Sequence, residues 1–313
     1  MPRMAVLLLI VLTVLNLTAN PRTTSADEPK TADDSKERIF VSVQTVRNAI
    51  GEKNPYRNCA ILAVDPNTGA TEPVVREAID PWVAADGKTM AYVSVEGVCV
   101  RMADGSSRVI RRQEPLTGAG APVLSSDGTV IICNIRRPPS KENPRSFDTW
   151  RYPVAGGEPT KLPIPDTDGV ADWSSDKQWL LTLRSGRGGG ALQLYIMRLD
   201  GTGQRRLSDG TGMISIARFS RDGRRTVYMH ELGNKNSLWV IDSDGEHATR
   251  ILDDSASAHP WACWSPDGKR LAVVDWDPRN GTGYRLDVME ADGRNRRTLP
   301  LPKALQMGAP DWR

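Results

Sequence analysis

Five stretches of the chain repeat one pattern. Aligned on a turn aspartate, they read WVAADGKTMAYVS (Trp82–Ser94), VLSSDGTVIICNI (Val123–Ile135), DWSSDKQWLLTLR (Asp172–Arg184), RFSRDGRRTVYMH (Arg218–His230) and CWSPDGKRLAVVD (Cys263–Asp275). The turn residues Asp86, Asp127, Asp176, Asp222 and Asp267 are 41, 49, 46 and 45 residues apart. In each copy a short strand meets an apolar run across a tight turn, where Pro pre-sets φ or Gly permits the backbone angle the turn needs. A second set of turns comes after the first: ADGSS (Ala103–Ser107), AGGEP (Ala155–Pro159), DGTGQ (Asp200–Gln204), SDGEH (Ser243–His247) and ADGRN (Ala291–Asn295). Each unit therefore holds four short strands, A to D, and no long amphipathic helical period occurs after the N-terminal segment. Four-stranded units at this period predict an all-β, six-bladed β-propeller.

The ends supply the sixth blade. RIFVSVQ (Arg38–Gln44), CAILAVDPNTG (Cys59–Gly69) and TEPVV (Thr71–Val75) read as strands B, C and D without an A. GAPDWR (Gly308–Arg313) reads as an A strand with nothing after it, and Trp312 falls where Trp173 and Trp264 fall. The C-terminal strand is expected to join the N-terminal blade and close the ring, which removes exposed sheet edges. The aromatics Trp173, Phe219, Trp264 and Trp312 are expected to pack between blades. The residue two earlier is Pro or Ala in every copy (Pro81, Pro122, Ala171, Ala217, Ala262, Pro310), which suits inner strands crowding an axis.

Residues 1–26 read as a signal peptide: Arg3, then the apolar AVLLLIVLTVL (Ala5–Leu15), then Thr24-Ser25-Ala26 as a cleavage site. That apolar run is short for a membrane span, so no stable span is expected after cleavage. Residues 27–37 read as a flexible linker and 38–313 as the propeller. Losing Arg3 and Arg22 leaves 39 bases against 38 acids, a balance that argues against nucleic acid as a partner. Cys59, Cys99, Cys133 and Cys263 match no metal spacing and are expected to be free and buried.

The repeat resembles the TolB-type, WD-like propeller repeat, whose hallmark is P-x-W-S-P-D-G-K before an apolar strand. WACWSPDGKRLAVV (Trp261–Val274) is the nearest copy, and the resemblance covers roughly residues 38 to 313. It implies a six-bladed propeller in the periplasm or outside the cell, bound to an envelope or extracellular protein or a glycan. TolB carries an α/β domain before its propeller where a short tail is expected here, so its recruitment contacts are not carried over. The same repeat resembles the propellers of prolyl oligopeptidase-like enzymes and of pectate-fragment lyases.

Local catalytic signatures are missing: the chain contains no G-x-S-x-G, P-loop or H-E-x-x-H. SSDK (Ser174–Lys177) is turn chemistry, and GRGGGA (Gly186–Ala191) lacks the adjoining helix that would hold a phosphate. Strand alternation puts the B–C and D–A loops on one face, which carries the long loops. Candidate binding residues there are Arg47, Arg136, Arg137, Arg184, His230, His259, Trp276 and Arg279. Asp166, Asp168 and Asp209 share the face and are able to neutralise its arginines. His230 and His259, with Asp253 and Asp254 nearby, come from separate loops; no metal and no other cofactor is assigned. The reading is a non-catalytic binding scaffold using one loop face. The alternative is a carbohydrate-active lyase or hydrolase with its site at the channel mouth.

Overall fold

The computed structural model describes residues 36–49, 51–112, 122–138, 146–185, 190–254, 260–277 and 283–313. The signal segment and nearly all of the linker lie outside the described residues. Ser35–Arg313 forms one compact unit. All regular secondary structure among the described residues is β-strand, in six antiparallel sheets. No helix there is long and apolar enough to cross a membrane.

Each sheet is one blade. The third shows the plan: Asp168–Trp173 (A), Trp179–Ser185 (B), Leu192–Arg198 (C) and Arg205–Arg206 (D), paired in that order. Blades one, two, four and five have inner strands Ala78–Val83, Val123–Leu124, Met213–Phe219 and Trp261–Trp264. The sixth blade is built from both ends. Ile39–Gln44 pairs on one side with Cys59–Val64. On the other it pairs with two short inner pieces, Gln306–Met307 and Asp311–Trp312. The ring closes as the sequence pattern predicts.

The repeated turn owes its shape to two side chains. In the fifth blade Ser265 Oγ donates to Asp267 Oδ1 at 2.6 Å, while the Arg270 and Lys269 N–H groups donate to Ser265 Oγ and Asp267 Oδ1 at 2.9 and 3.0 Å. Ser125–Asp127, Ser174–Asp176 and Ser220–Asp222 repeat the serine-to-aspartate bond. The residue after the aspartate must enter the left-handed region. It is Gly in four copies, at φ 69° to 72°, and Lys177 at φ 60° in the third. Lys177 also reaches Asp127 of the second blade at 2.6 Å, so SSDK is a turn and a blade-to-blade contact.

Neighbouring turns are stitched around the axis. Ala85 N–H donates to Ser126 O at 2.7 Å, Ser126 Oγ to Ser175 O at 2.8 Å, and Ser175 Oγ to Arg221 O at 2.7 Å. Arg225 continues to Gly268 O at 2.7 Å. The Val83 and Phe219 N–H groups donate to the carboxylates of Asp311 and Asp172 in the preceding blades. Between blades lie the aromatics and small residues: Trp264 donates to Arg218 O at 3.1 Å, and Ala217 and Ala262 sit in apolar clusters.

All four cysteines are free thiols; three are buried and Cys59 is half-buried. Burial pushes the Cys133 thiol up to about 12 and raises Cys263 as well, so both are unreactive packing groups.

Trp312 is wholly buried and belongs to the apolar cluster of the closing blade. Trp312→Ala is expected to cost about 3–5 kcal/mol, read as a lower urea midpoint with the slope retained. A midpoint shift matching an exposed-site substitution would contradict closure by this strand.

Candidate functional site

The chain places two unlike surfaces at the ends of the axis. One carries the B–C and D–A loops, the other the A–B and C–D turns.

On the loop face, the arginines expected from the sequence divide into two kinds. Arg137 is bound to Asp148 and, at 3.1 Å, to Asp166. Lys161 also holds Asp148, and these cations push its carboxyl down to about 2. Arg184 grips the fully buried Asp168, with Nη2 to Oδ2 at 2.7 Å, and stacks over Tyr195 at 4.3 Å. Both side chains are ion-paired to acids on the same face. Arg47 and Arg136 are exposed and form no ion pair among the described residues. His259 and Arg279 lie outside the described residues. Trp276 is half-buried and leans on Tyr284, centroids 6.5 Å apart.

His230 is a buried packing residue. A carbonyl only accepts, so the 3.0 Å contact to Thr211 O fixes the proton on Nε2. Its ring stands edge-on to Trp239 at 6.0 Å, and a Cβ on Gly212 would lie 2.5 Å from Nε2. That nitrogen is committed to the D–A loop.

The loop from 45 to 58 is braced from within. Asn48 donates to Pro55 O at 2.6 Å, Asn58 to Asn48 Oδ1 at 3.0 Å, and Asn54 to Glu77 at 2.8 Å. Beside this loop, where the closing blade meets the first and fifth, lies a cavity of about 140 Å³, lined in part by Gln44, Cys59, Asp80 and Trp261. Asp80 sits on a bulge at φ 54°, and its carboxyl is pushed up by burial, opposed by the Arg218 charge.

A second feature of the face is apolar. Among the described residues four large hydrophobic side chains stand exposed: Val46 (59%), Val95 (48%), Leu232 (58%) and Leu305 (45%). Val46 and Val95 lie on B–C connections, Leu232 ends the B strand Arg225–Leu232 beside its B–C turn, and Leu305 lies on the last D–A connection, so all four share this face. Val95 and Leu232 are legible as apolar residues beside turn glycines, in SVEG and ELGN, outside the stretches that a blade buries.

At the opposite end the channel narrows. The lining includes Trp82, Asp172, Arg218, Cys263 and Asp311, each directly before the last residue of its inner strand. Arg218 crosses the axis to lie 3.8 Å from the Trp82 ring. Asp172 accepts from the N–H groups of Trp173 and Phe219 at 2.6 and 2.7 Å, yet its burial pushes the carboxyl up to about 6 against the Arg218 charge and both bonds.

No protein-family model matches the chain. Over 74 residues, 23% of its length, it is 40% identical to the Tol-Pal system protein TolB of Polaromonas naphthalenivorans and, over an equal stretch, 36% identical to that of Albidiferax ferrireducens. The chain spans 16% of the length of these curated relatives. Among solved structures, TolB from Acinetobacter baumannii matches at a TM-score of 0.72 and 18% identity, over 90% of this chain and 67% of that one. The chain carries the TolB-type six-bladed β-propeller. An oligogalacturonate lyase in complex with manganese shares the fold more distantly, at a TM-score of 0.54 and 15% identity over 76% of this chain and 70% of that one. Among the described residues of this TolB-type propeller, no group of three His, Cys, Asp or Glu side chains is arranged to hold a metal ion.

The raised Asp172 carboxyl makes a pH prediction. The folded state holds this proton more tightly than the unfolded chain, so the contribution is largest at low pH. It should be lost as pH rises from about 4 to about 6, by up to roughly 3 kcal/mol. Carbon NMR of the Asp172 carboxyl should titrate near 6; a midpoint in the ordinary carboxylate range would contradict the assignment.

Proposed function

We propose that this chain is an exported, non-catalytic binding scaffold of the envelope that recognises a protein partner through its loop face. The observation that carries this reading is the one-sided placement of Val46, Val95, Leu232 and Leu305. Exposed apolar side chains on one face suit a contact surface; Val46, Val95 and Leu305 sit on connections, and Leu232 ends the strand Arg225–Leu232. Arg47 and Arg136 stand exposed on the same face with no ion pair among the described residues, which suits a partner with acidic groups near an apolar centre. The braced loop from 45 to 58 presents its side chains at low entropic cost. Similarity to a Tol-Pal system protein supports the envelope, and the periplasm within it, as the place where the partner is met.

The test replaces Val46, Val95, Leu232 and Leu305 together by Ser. All four are exposed, so each is expected to leave stability within about 0.5 kcal/mol. Wild-type and variant chains would be cross-linked in the native envelope and their retained proteins quantified. Retention of the specific partner should fall at least about tenfold, as for loss of interface anchors. Equal retention by both chains would remove the loop face as the recognition surface.

A further inference from the structure

The narrow end of the channel, on the face opposite the loops, is a cavity of about 40 Å³. Its wall carries three guanidinium groups, Arg218, Arg221 and Arg313, against two carboxylates, Asp172 and Asp311. Arg218 is satisfied by the Trp82 ring and by Ala171 O at 2.8 Å. Arg313 is satisfied by Asp311 at 2.9 Å and by Val83 O. Arg221 differs. Its Nε is buried and has no hydrogen-bond partner among the described residues. Burial, reinforced by the Arg313 charge, depresses the guanidinium to about 10.

A second orphan lines the same cavity. Trp173 is 7% exposed, and its indole Nε1 is buried with no partner among the described residues. An indole N–H only donates, as does a guanidinium. The residues carrying these two unpaired donors line one small space, whose carboxylates, Asp172 and Asp311, are engaged elsewhere by backbone N–H groups and by Arg313; a buried unpaired donor costs about 1–3 kcal/mol, more when charged. The repeat makes Arg221 conspicuous: it fills the turn position held by Pro266 in the fifth blade and Ser175 in the third. Both of those turns form without a cation.

A fitting ligand must be small, anionic and an acceptor on more than one side. One water needs about 10–15 Å³ on the same measure, so the cavity holds a group of a few heavy atoms. Carboxylate geometry matches a guanidinium edge and leaves a lone pair for the indole. We propose that this cavity binds a single carboxylate group, held by the Nε–H of Arg221 and the indole N–H of Trp173. The carboxylate is either that of a small free acid or the tip of an acidic side chain. This inference is independent of the loop-face reading, since its residues lie at the other end of the axis.

The test tracks the indole N–H signals of the purified exported protein by nitrogen-15 NMR, with Trp173 assigned through Trp173→Phe. Sodium formate and N-acetylglutamate amide are titrated against sodium chloride at matched ionic strength and pH. A saturable shift of the Trp173 signal is expected, with apparent affinity at least about tenfold weaker in Arg221→Met. Saturation by formate alone identifies a free small acid; saturation by the glutamate derivative as well identifies an acidic side chain. Arg221→Lys keeps the charge without the fork and serves if the methionine variant fails to fold. It should bind more weakly than wild type. A Trp173 signal that moves no more in formate than in chloride would overturn the proposal. So would a shift undiminished in both Arg221 variants.

Discussion

The pairing of Asp311–Trp312 and Gln306–Met307 with Ile39–Gln44 is the contact on which the rest of the molecule depends. Five blades arise from local hairpins and need only their own turns. The sixth joins residues more than two hundred positions apart, and such contacts repay their loop-closure entropy only once the ring is complete. Closure also fixes everything near the axis. Asp311 accepts from Val83 N–H across the seam, as Asp172 does from Phe219 between blades three and four. The same seam positions Arg313 beside Asp311 in the channel wall.

Because each blade repeats one hairpin plan, the two ends of the axis inherit opposite chemistry. The turn end is tied by short serine, aspartate and backbone bonds from blade to blade, and leaves little room. At the loop end, Gln193 of the third blade donates to Gly212 O at the entry to the fourth. The connections at this end vary in length and hold exposed valine and leucine, together with Arg47 and Arg136, which form no ion pair among the described residues. A rigid ring with one adaptable face is an arrangement suited to recognition, and function on propellers resides in such grafted loops.

The fold is legible in the sequence because five of the six blades announce themselves with the same turn. Aspartate and a residue at positive φ recur in all five, so the pattern survives where strand sequences drift. Ala84 in place of Ser and Lys177 in place of Gly are visible as departures. The site is less legible. Arg137 and Arg184 look like Arg47 and Arg136 in the sequence, but the first two meet Asp166 and Asp168, whose approach depends on how the D–A loops fold back. His230 looks available because nothing local occupies it; its partner Thr211 lies 19 residues away. The channel layer containing Asp172, Arg218 and Asp311 lies one residue after the small Ala or Pro positions, and only the three-dimensional ring gives that offset meaning.

The central claim is that recognition belongs to the loop face. Photo-crosslinking in intact cells tests it most directly, with a photoreactive amino acid at position 95 or 232 on that face, or at 104 or 292 on the C–D turns opposite. The account predicts a shared adduct from positions 95 and 232 and none from 104 and 292. Adducts confined to the turn positions would contradict it and move recognition to the other end of the axis.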